Sequence, residues 1–178
     1  MKPIPVFIGY DPKEVIAYHV LSHSIMRHAS VPVSITGLVL KQLPLSRPRD
    51  PVQSTEFAFS RFLVPYLCSF MDWAVFMDCD MLCRADIAEL WNLRDPNRAV
   101  QVVKHDYTPT TTTKFLGQPQ TRYARKNWSS VMLFNNWKCT GLYPGYVDRA
   151  SGLSLHGFEW LDEHENDDQP PPKARAAP

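Results

Sequence analysis

Two aspartates one residue apart, Asp78 and Asp80, follow the apolar run Trp73-Ala74-Val75-Phe76-Met77. The run reads as a buried β-strand, and the pair stands where that strand leaves its sheet. In an extended segment alternate side chains point the same way, so both carboxylates can converge on one hard divalent cation. Mg2+ and Mn2+ take oxygen ligands and keep open positions for substrate phosphates. A strand-end turn, with Asp80 capping the next segment, accounts for the same residues, and for so short a motif both readings stand.

The element order supports the first reading. Val6-Phe7-Ile8-Gly9 is a short apolar run ending in glycine. Asp11, Pro12 and Glu14 then form a capping-box-like start to a helix carrying Val15, Tyr18, Leu21, Ile25 and Met26 at helical spacing. A second strand is predicted at Val33–Thr36 and Leu38–Leu40, broken by Gly37. This β-α-β order favours a parallel sheet. Ser54 or Thr55 can cap a helix through Phe57, Phe59, Phe62, Leu63 and Leu67, which Pro65 should kink or divide. A short helix over Ala85–Leu93 and strands over Ala99–Val103 and Ser129–Asn135 complete the pattern. The fold expected is α/β, with a mainly parallel, Rossmann-like sheet and helices on both faces.

Open sheets of this kind bind ligands beyond the carboxyl ends of their strands. Three strand ends are therefore candidates: Gly9-Tyr10-Asp11, Asp78-Cys79-Asp80 and Lys104-His105-Asp106. Gly9 permits close backbone approach and Tyr10 offers a face on which a base can stack; an ordinary turn with a half-buried tyrosine accounts for that pair as well. Arg61 carries a planar, permanently charged fork suited to carboxylate or phosphate. It reads equally as a surface charge on an amphipathic helix.

The chain has 178 residues and a formal net charge of +1, with 44% hydrophobic and 21% charged residues. That is enough for one domain with a real core, and excludes fibrous or wholly disordered classes. The balanced charge implies no basic face for nucleic acid. Cys68, Cys79, Cys83 and Cys139 show neither disulfide-framework nor zinc spacing, so free thiols in a reducing compartment are expected. With no signal-peptide pattern and no apolar stretch long enough for a bilayer, the sequence reads as a cytoplasmic protein. The 16 prolines, about twice the average share, mark loops around Pro44, Pro48 and Pro51 and a C-terminal tail. Residues 107–127, with Thr110 to Thr113, form a long polar loop. The expected organisation is one domain over 1–160 and a disordered acidic, then Pro-rich, tail over 161–178.

Val6 to Asp11, Ser60-Arg61-Phe62-Leu63, Phe76-Met77-Asp78-Cys79-Asp80 and Ser130-Val131-Met132-Leu133-Phe134-Asn135 occur in that order. Together they resemble nucleotide-sugar glycosyltransferases of the GT-A fold, of the glycogenin and lipopolysaccharide galactosyltransferase kind (family 8-like). The resemblance covers most of Ile4 to Asn136. It implies a donor, UDP-sugar, whose diphosphate is bridged by Mn2+ (or Mg2+) on Asp78 and Asp80. It implies further that Gly9, Tyr10 and Asp11 cradle the uridine, that Arg61 supports the site and contacts the donor, and that Asp106 helps hold the donor sugar. The sugar would pass to an acceptor hydroxyl, with retained configuration.

The sequence departs from that family in three ways. Trp128 stands where the family often has asparagine, with Asn127 one residue earlier. The C-terminal segment that supplies the family's histidine metal ligand is missing, and His156 and His164 lack its context. The family domain normally runs further, so the tail reads as a truncation or frame shift. Weak, metal-assisted donor binding with little sugar transfer is therefore expected, and alanine at Asp78 or Asp80 should remove metal-dependent UDP binding while sparing the fold. The alternatives are a catalytically impaired nucleotide-sugar-binding remnant and a metal-dependent nucleotidyltransferase; for the latter no phosphate-cradling Gly-rich loop is visible.

Overall fold

A computed structural model of the chain describes residues 2–49, 53–105, 125 and 127–163. Five strands form one sheet: β1 (Ile4–Gly9), β2 (Val33–Leu38), β3 (Trp73–Met77), β4 (Val100–Val102) and β5 (Val131–Asn135), in the order β2-β1-β3-β5-β4. β1 pairs in parallel with β2 and β3, whereas β5 lies antiparallel between β3 and β4. The sheet is thus mixed. Its mainly parallel character holds in direction, since β1 to β4 run the same way and β5 runs against them.

Burial varies with position in the sheet. The central strands β1, β3 and β5 are near-continuous apolar runs, and almost every residue in them is buried, as strands covered on both faces should be. The outer strand β2 alternates between exposed and half-buried residues. Gly37 does not break it; a side chain there would press on the Tyr18 ring.

The first helix, α1 (Val15–His28), starts later than the capping pattern predicts. The Asp11 carboxylate accepts from the Lys13 amide within the turn, and Glu14 occupies the N-cap position without a side-chain cap. Leu21, Ser24 and Ile25 are buried, but Met26 faces solvent. The helix expected over residues 54–67, to be kinked or divided at Pro65, is divided into a 3-10 segment, Ser60–Leu63, and α2 (Val64–Leu67). Pro65 sits in the first turn of α2, where its missing N–H costs no hydrogen bond. α3 (Ile87–Trp91) begins at Asp86, whose carboxylate accepts from the Ala88 amide.

Three short helices come after β5: α4 (Pro144–Arg149), α5 (Gly152–His156) and α6 (Trp160–Glu163). They bring Leu142, Val147, Leu155, Phe158 and Trp160 into the same core as the sheet. α6 takes in residues 161–163, the first three of the tail expected over 161–178, and the rest of that tail, 164–178, lies outside the described residues. All four cysteines are free. Burial pushes the Cys68 thiol up to about 11 and raises Cys139 further. Among the described residues no helix is long and apolar enough to cross a membrane.

Candidate active site at the carboxyl edge of the sheet

The register gathers the predicted strand ends. Ile8 lies opposite Met77, Met77 opposite Val131, and Val102 opposite Met132. The carboxyl ends of β1, β3 and β4 therefore share one edge with the start of β5. The Asp78 amide extends the ladder by donating to the Ser130 carbonyl at 2.9 Å.

The two aspartates differ in setting. Cys79 between them is buried and Asp80 is exposed. Asp78 is 16% exposed at its side chain, with Oδ1 2.8 Å from Arg61 Nη1. That oxygen is buried and has no aligned hydrogen-bond donor, and the Arg61 Nη1 group donates to the Ser129 carbonyl at 2.9 Å. The contact is thus one of charge rather than an aligned hydrogen bond, and it leaves Oδ1 with unused acceptor capacity. Burial pushes the Asp78 carboxyl up to about 6, against the pull of Arg61; Asp80 and Glu14 push it further up, and a hydrogen bond with Ser130 opposes them. Negative charge is therefore concentrated here beyond what one arginine neutralises. A buried carboxylate oxygen lacking a donor, with a second aspartate close by, fits a hard divalent cation that keeps its remaining positions for water or phosphate.

Arg61 is no surface charge. It is 5% exposed, and its Nε reaches the Phe57 carbonyl at 3.3 Å. The guanidinium also lies 5.2 Å from the Phe57 ring and 5.1 Å from the Phe76 ring. The break of the helix around Pro65 leaves Arg61 in the 3-10 segment, turned inward toward β3.

Gly9, Tyr10 and Asp11 occupy the same edge with different surroundings. A Cβ on Gly9 would overlap the Phe57 ring, so the close approach that Gly9 permits is made by Phe57. Alanine at Gly9 should destabilise the fold by about 1–3 kcal/mol, the usual cost of overpacking. Urea denaturation would show this, with a smaller loss in a Phe57→Leu background; an equal loss in both backgrounds would place the cause elsewhere. Tyr10 is half-buried, its ring edge-on to Tyr18 with centroids 5.5 Å apart. Asp11 is 2% exposed, and its carboxylate accepts from the Lys13 and Glu56 amides at 2.9 and 3.0 Å. It first of all ties the turn after β1 to the segment that carries Phe57 and Arg61.

Past β4, Lys104 and His105 are exposed. The Lys104 ammonium lies 5.4 Å from the Trp128 ring centroid, and Trp128 Nε1 donates to the His105 carbonyl at 3.3 Å. Trp128, at the position where the resemblance expects asparagine, thus links the end of β4 to the start of β5. Asp106 and His164 lie outside the described residues. His156 approaches the edge from α5, but both ring nitrogens meet protein groups: Nδ1 is 2.7 Å from Ser129 Oγ and Nε2 is 3.0 Å from the Ala58 carbonyl.

Glu14 and Ser129 also border the candidate site, although no pattern in the sequence assigns them to it; Ser130, the first residue of the last segment that carries the resemblance, borders it too. Glu14 reads from sequence as part of a helix cap, yet its carboxylate accepts from the Cys79 thiol at 3.3 Å. A groove of about 600 Å3 runs along α1 and residues 82–84, but none of the candidate site residues lines it.

The profile of glycosyl transferase family 8 matches residues 9–140, most of the chain and all of the edge just described. The chain belongs to glycosyltransferase family 8. A curated relative, Protein CDI of Arabidopsis thaliana, is 47% identical over 170 residues, covering 92% of this chain and 66% of that protein. Its name states no activity. Among solved structures, the apo bifunctional glycosyltransferase WbbM is 19% identical with a TM-score of 0.57, over 89% of this chain and 37% of WbbM. The galactosyltransferase LgtC, solved with donor and acceptor sugar analogues, is 12% identical with a TM-score of 0.51, over 93% of this chain and 66% of LgtC. These likenesses show the GT-A type of fold. The family 8 chain described here spans about two thirds or less of the length of these relatives.

Proposed function

We propose that the chain binds a UDP-sugar at the carboxyl edge of its sheet, with Mn2+ or Mg2+ held by Asp78 and Asp80, and transfers the sugar to an acceptor hydroxyl. The observation that carries this reading is the Asp78 oxygen, buried without an aligned donor beside Arg61. A purely structural ion pair would satisfy that oxygen with hydrogen bonds. A bound divalent cation would supply Lewis-acid stabilisation of the diphosphate leaving group. Arg61 fixes the direction of Asp78, and Ser129 fixes Arg61. Tyr10 offers a ring to the uracil base beside Gly9, and Asp11 holds the turn that presents it. Asp106, on the segment after β4, is proposed as the contact to the donor sugar. A cytoplasmic setting suits the four free cysteines.

A second reading, nucleotide-sugar binding with impaired turnover, is supported by His156. The imidazole nitrogens meet Ser129 and Ala58 and so face protein groups rather than the two aspartates. Saturation-transfer NMR with UDP-, GDP- and CMP-sugars, each with and without Mg2+, tests the binding both readings share. Binding of UDP-sugars only with metal is expected; equal signals from all three nucleotides would overturn it. Release of UDP on addition of Mn2+ and candidate acceptors separates transfer from binding alone.

A further inference from the structure

We propose that His156 is a positioning residue for this site, holding Ser129 and, through it, the Arg61–Asp78 pair. The inference rests on the reading of the edge as a metal and diphosphate site.

His156 ends α5, a helix capped by Ser151, whose Oγ accepts from the Ser154 amide at 2.9 Å. Nε2 faces the Ala58 carbonyl at 3.0 Å. A carbonyl only accepts, so Nε2 carries the proton, and in the neutral ring Nδ1 is then an acceptor. Ser129 Oγ lies 2.7 Å from Nδ1 and, with the ring neutral, is the donor. The Phe62 ring meets the imidazole edge-to-face with centroids 5.2 Å apart. These contacts orient the ring.

Ser129 passes that constraint on. It is 3% exposed, and its carbonyl accepts from Arg61 Nη1. The same nitrogen meets Asp78 Oδ1. Any displacement of Ser129 therefore changes how Arg61 meets the aspartate. One imidazole binds two segments far apart in sequence, at Ala58, three residues before Arg61, and at Ser129, whose carbonyl Arg61 meets. Its role is indirect, since the nitrogen that could bind an ion faces the serine. Partners of this kind, one step removed from a metal ligand, commonly govern affinity.

The test compares His156→Asn, His156→Gln and Ser129→Ala by calorimetric titration with UDP in Mn2+. The asparagine amide oxygen falls near the place of Nδ1 and keeps an acceptor for Ser129; the glutamine amide nitrogen falls near Nε2 and loses that acceptor. His156→Asn should bind close to wild type, whereas His156→Gln and Ser129→Ala should each bind about tenfold more weakly. The double variant should be no weaker than either single one, because both break the same link. A merely stabilising histidine would lower the urea midpoint in all variants and leave the affinity of the folded chain alone. If wild type binds UDP and folded His156→Gln and Ser129→Ala bind it as tightly, the positioning role is wrong while the site stands. If wild type itself shows no metal-dependent binding, the site reading fails first. Should the variants not fold, nitrogen-15 NMR of the wild-type histidine rings decides. The expected spectrum has His156 protonated on Nε2, with ring signals that move on adding Mg2+ and UDP. Protonation on Nδ1 alone, or ring signals indifferent to Mg2+ and UDP, would overturn the proposal.

Discussion

Alanine in place of Asp80 should abolish manganese-dependent binding of UDP and leave the stability of the folded chain nearly unchanged. Asp80 is exposed, and its ordinary surface setting gives the fold little reason to need it. Its proposed work is done only when cation and diphosphate arrive. Loss of one of two protein carboxylates from a hard-cation site removes both a ligand and a full negative charge. The effect should exceed the 10- to 100-fold typical of partners one step removed. Calorimetry for UDP with Mn2+, alongside urea denaturation, measures both halves. An Asp80→Ala chain that keeps metal-dependent affinity would remove Asp80 from the site.

Asp78 does not behave as its neighbour does, and here the expectation from sequence needs correction. A strand-end carboxylate is expected to pack little, so that alanine at either position would spare the fold. The structure makes Asp78 the partner of a buried arginine. Asp78→Ala should therefore cost stability as well as metal binding, and Asp78→Asn is the better probe of metal binding because it keeps the volume.

How much of this is legible in the sequence depends on the kind of signal each feature leaves. The strands β1, β3 and β5 are readable because long apolar runs bounded by polar residues leave few alternatives. The Asp78–Asp80 edge is readable because those runs set where the carboxylates emerge. Pro65 announces a break, but not that the break turns Arg61 inward, since an arginine in an amphipathic pattern is usually exposed. The antiparallel insertion of β5 is hidden because strand direction depends on pairing between distant segments. Helices α4 to α6 escape detection because segments of four to six residues, interrupted by Pro144, Gly145, Gly152 and Gly157, carry no measurable period. The link from His156 to Ser129 joins residues 27 apart and has no sequence signal at all.

Replacing Arg61 by methionine should be the most destabilising change at the edge. Arg61 meets the Asp78 carboxylate and donates to the carbonyls of Ser129 and Phe57. Removing it leaves the buried carboxylate without its countercharge and the Ser129 carbonyl without this donor, while the Phe57 carbonyl keeps the main-chain amide of residue 61 at 3.4 Å. Breaking one side of a buried ion pair typically costs about 3–5 kcal/mol. Pairing Arg61→Met with Asp78→Asn should recover part of that loss, since the uncompensated charge goes too; contacting residues of this kind couple by about 0.5–3 kcal/mol. Lysine should not substitute, because a point charge cannot serve both the aspartate and the carbonyls as the fork does. Urea unfolding of the two single variants and the double variant gives the coupling directly. Strict additivity would mean that Arg61 and Asp78 do not act as a pair in solution.

The central claim is that the carboxyl edge of this sheet holds a divalent cation together with the diphosphate of a nucleotide sugar. Calorimetric titration of the wild-type chain with UDP, once in Mn2+ and once in EDTA, tests it most directly. Saturable binding in Mn2+ and none, or far weaker binding, in EDTA is the expected result. Equal affinity in both, or no binding in either, would contradict it.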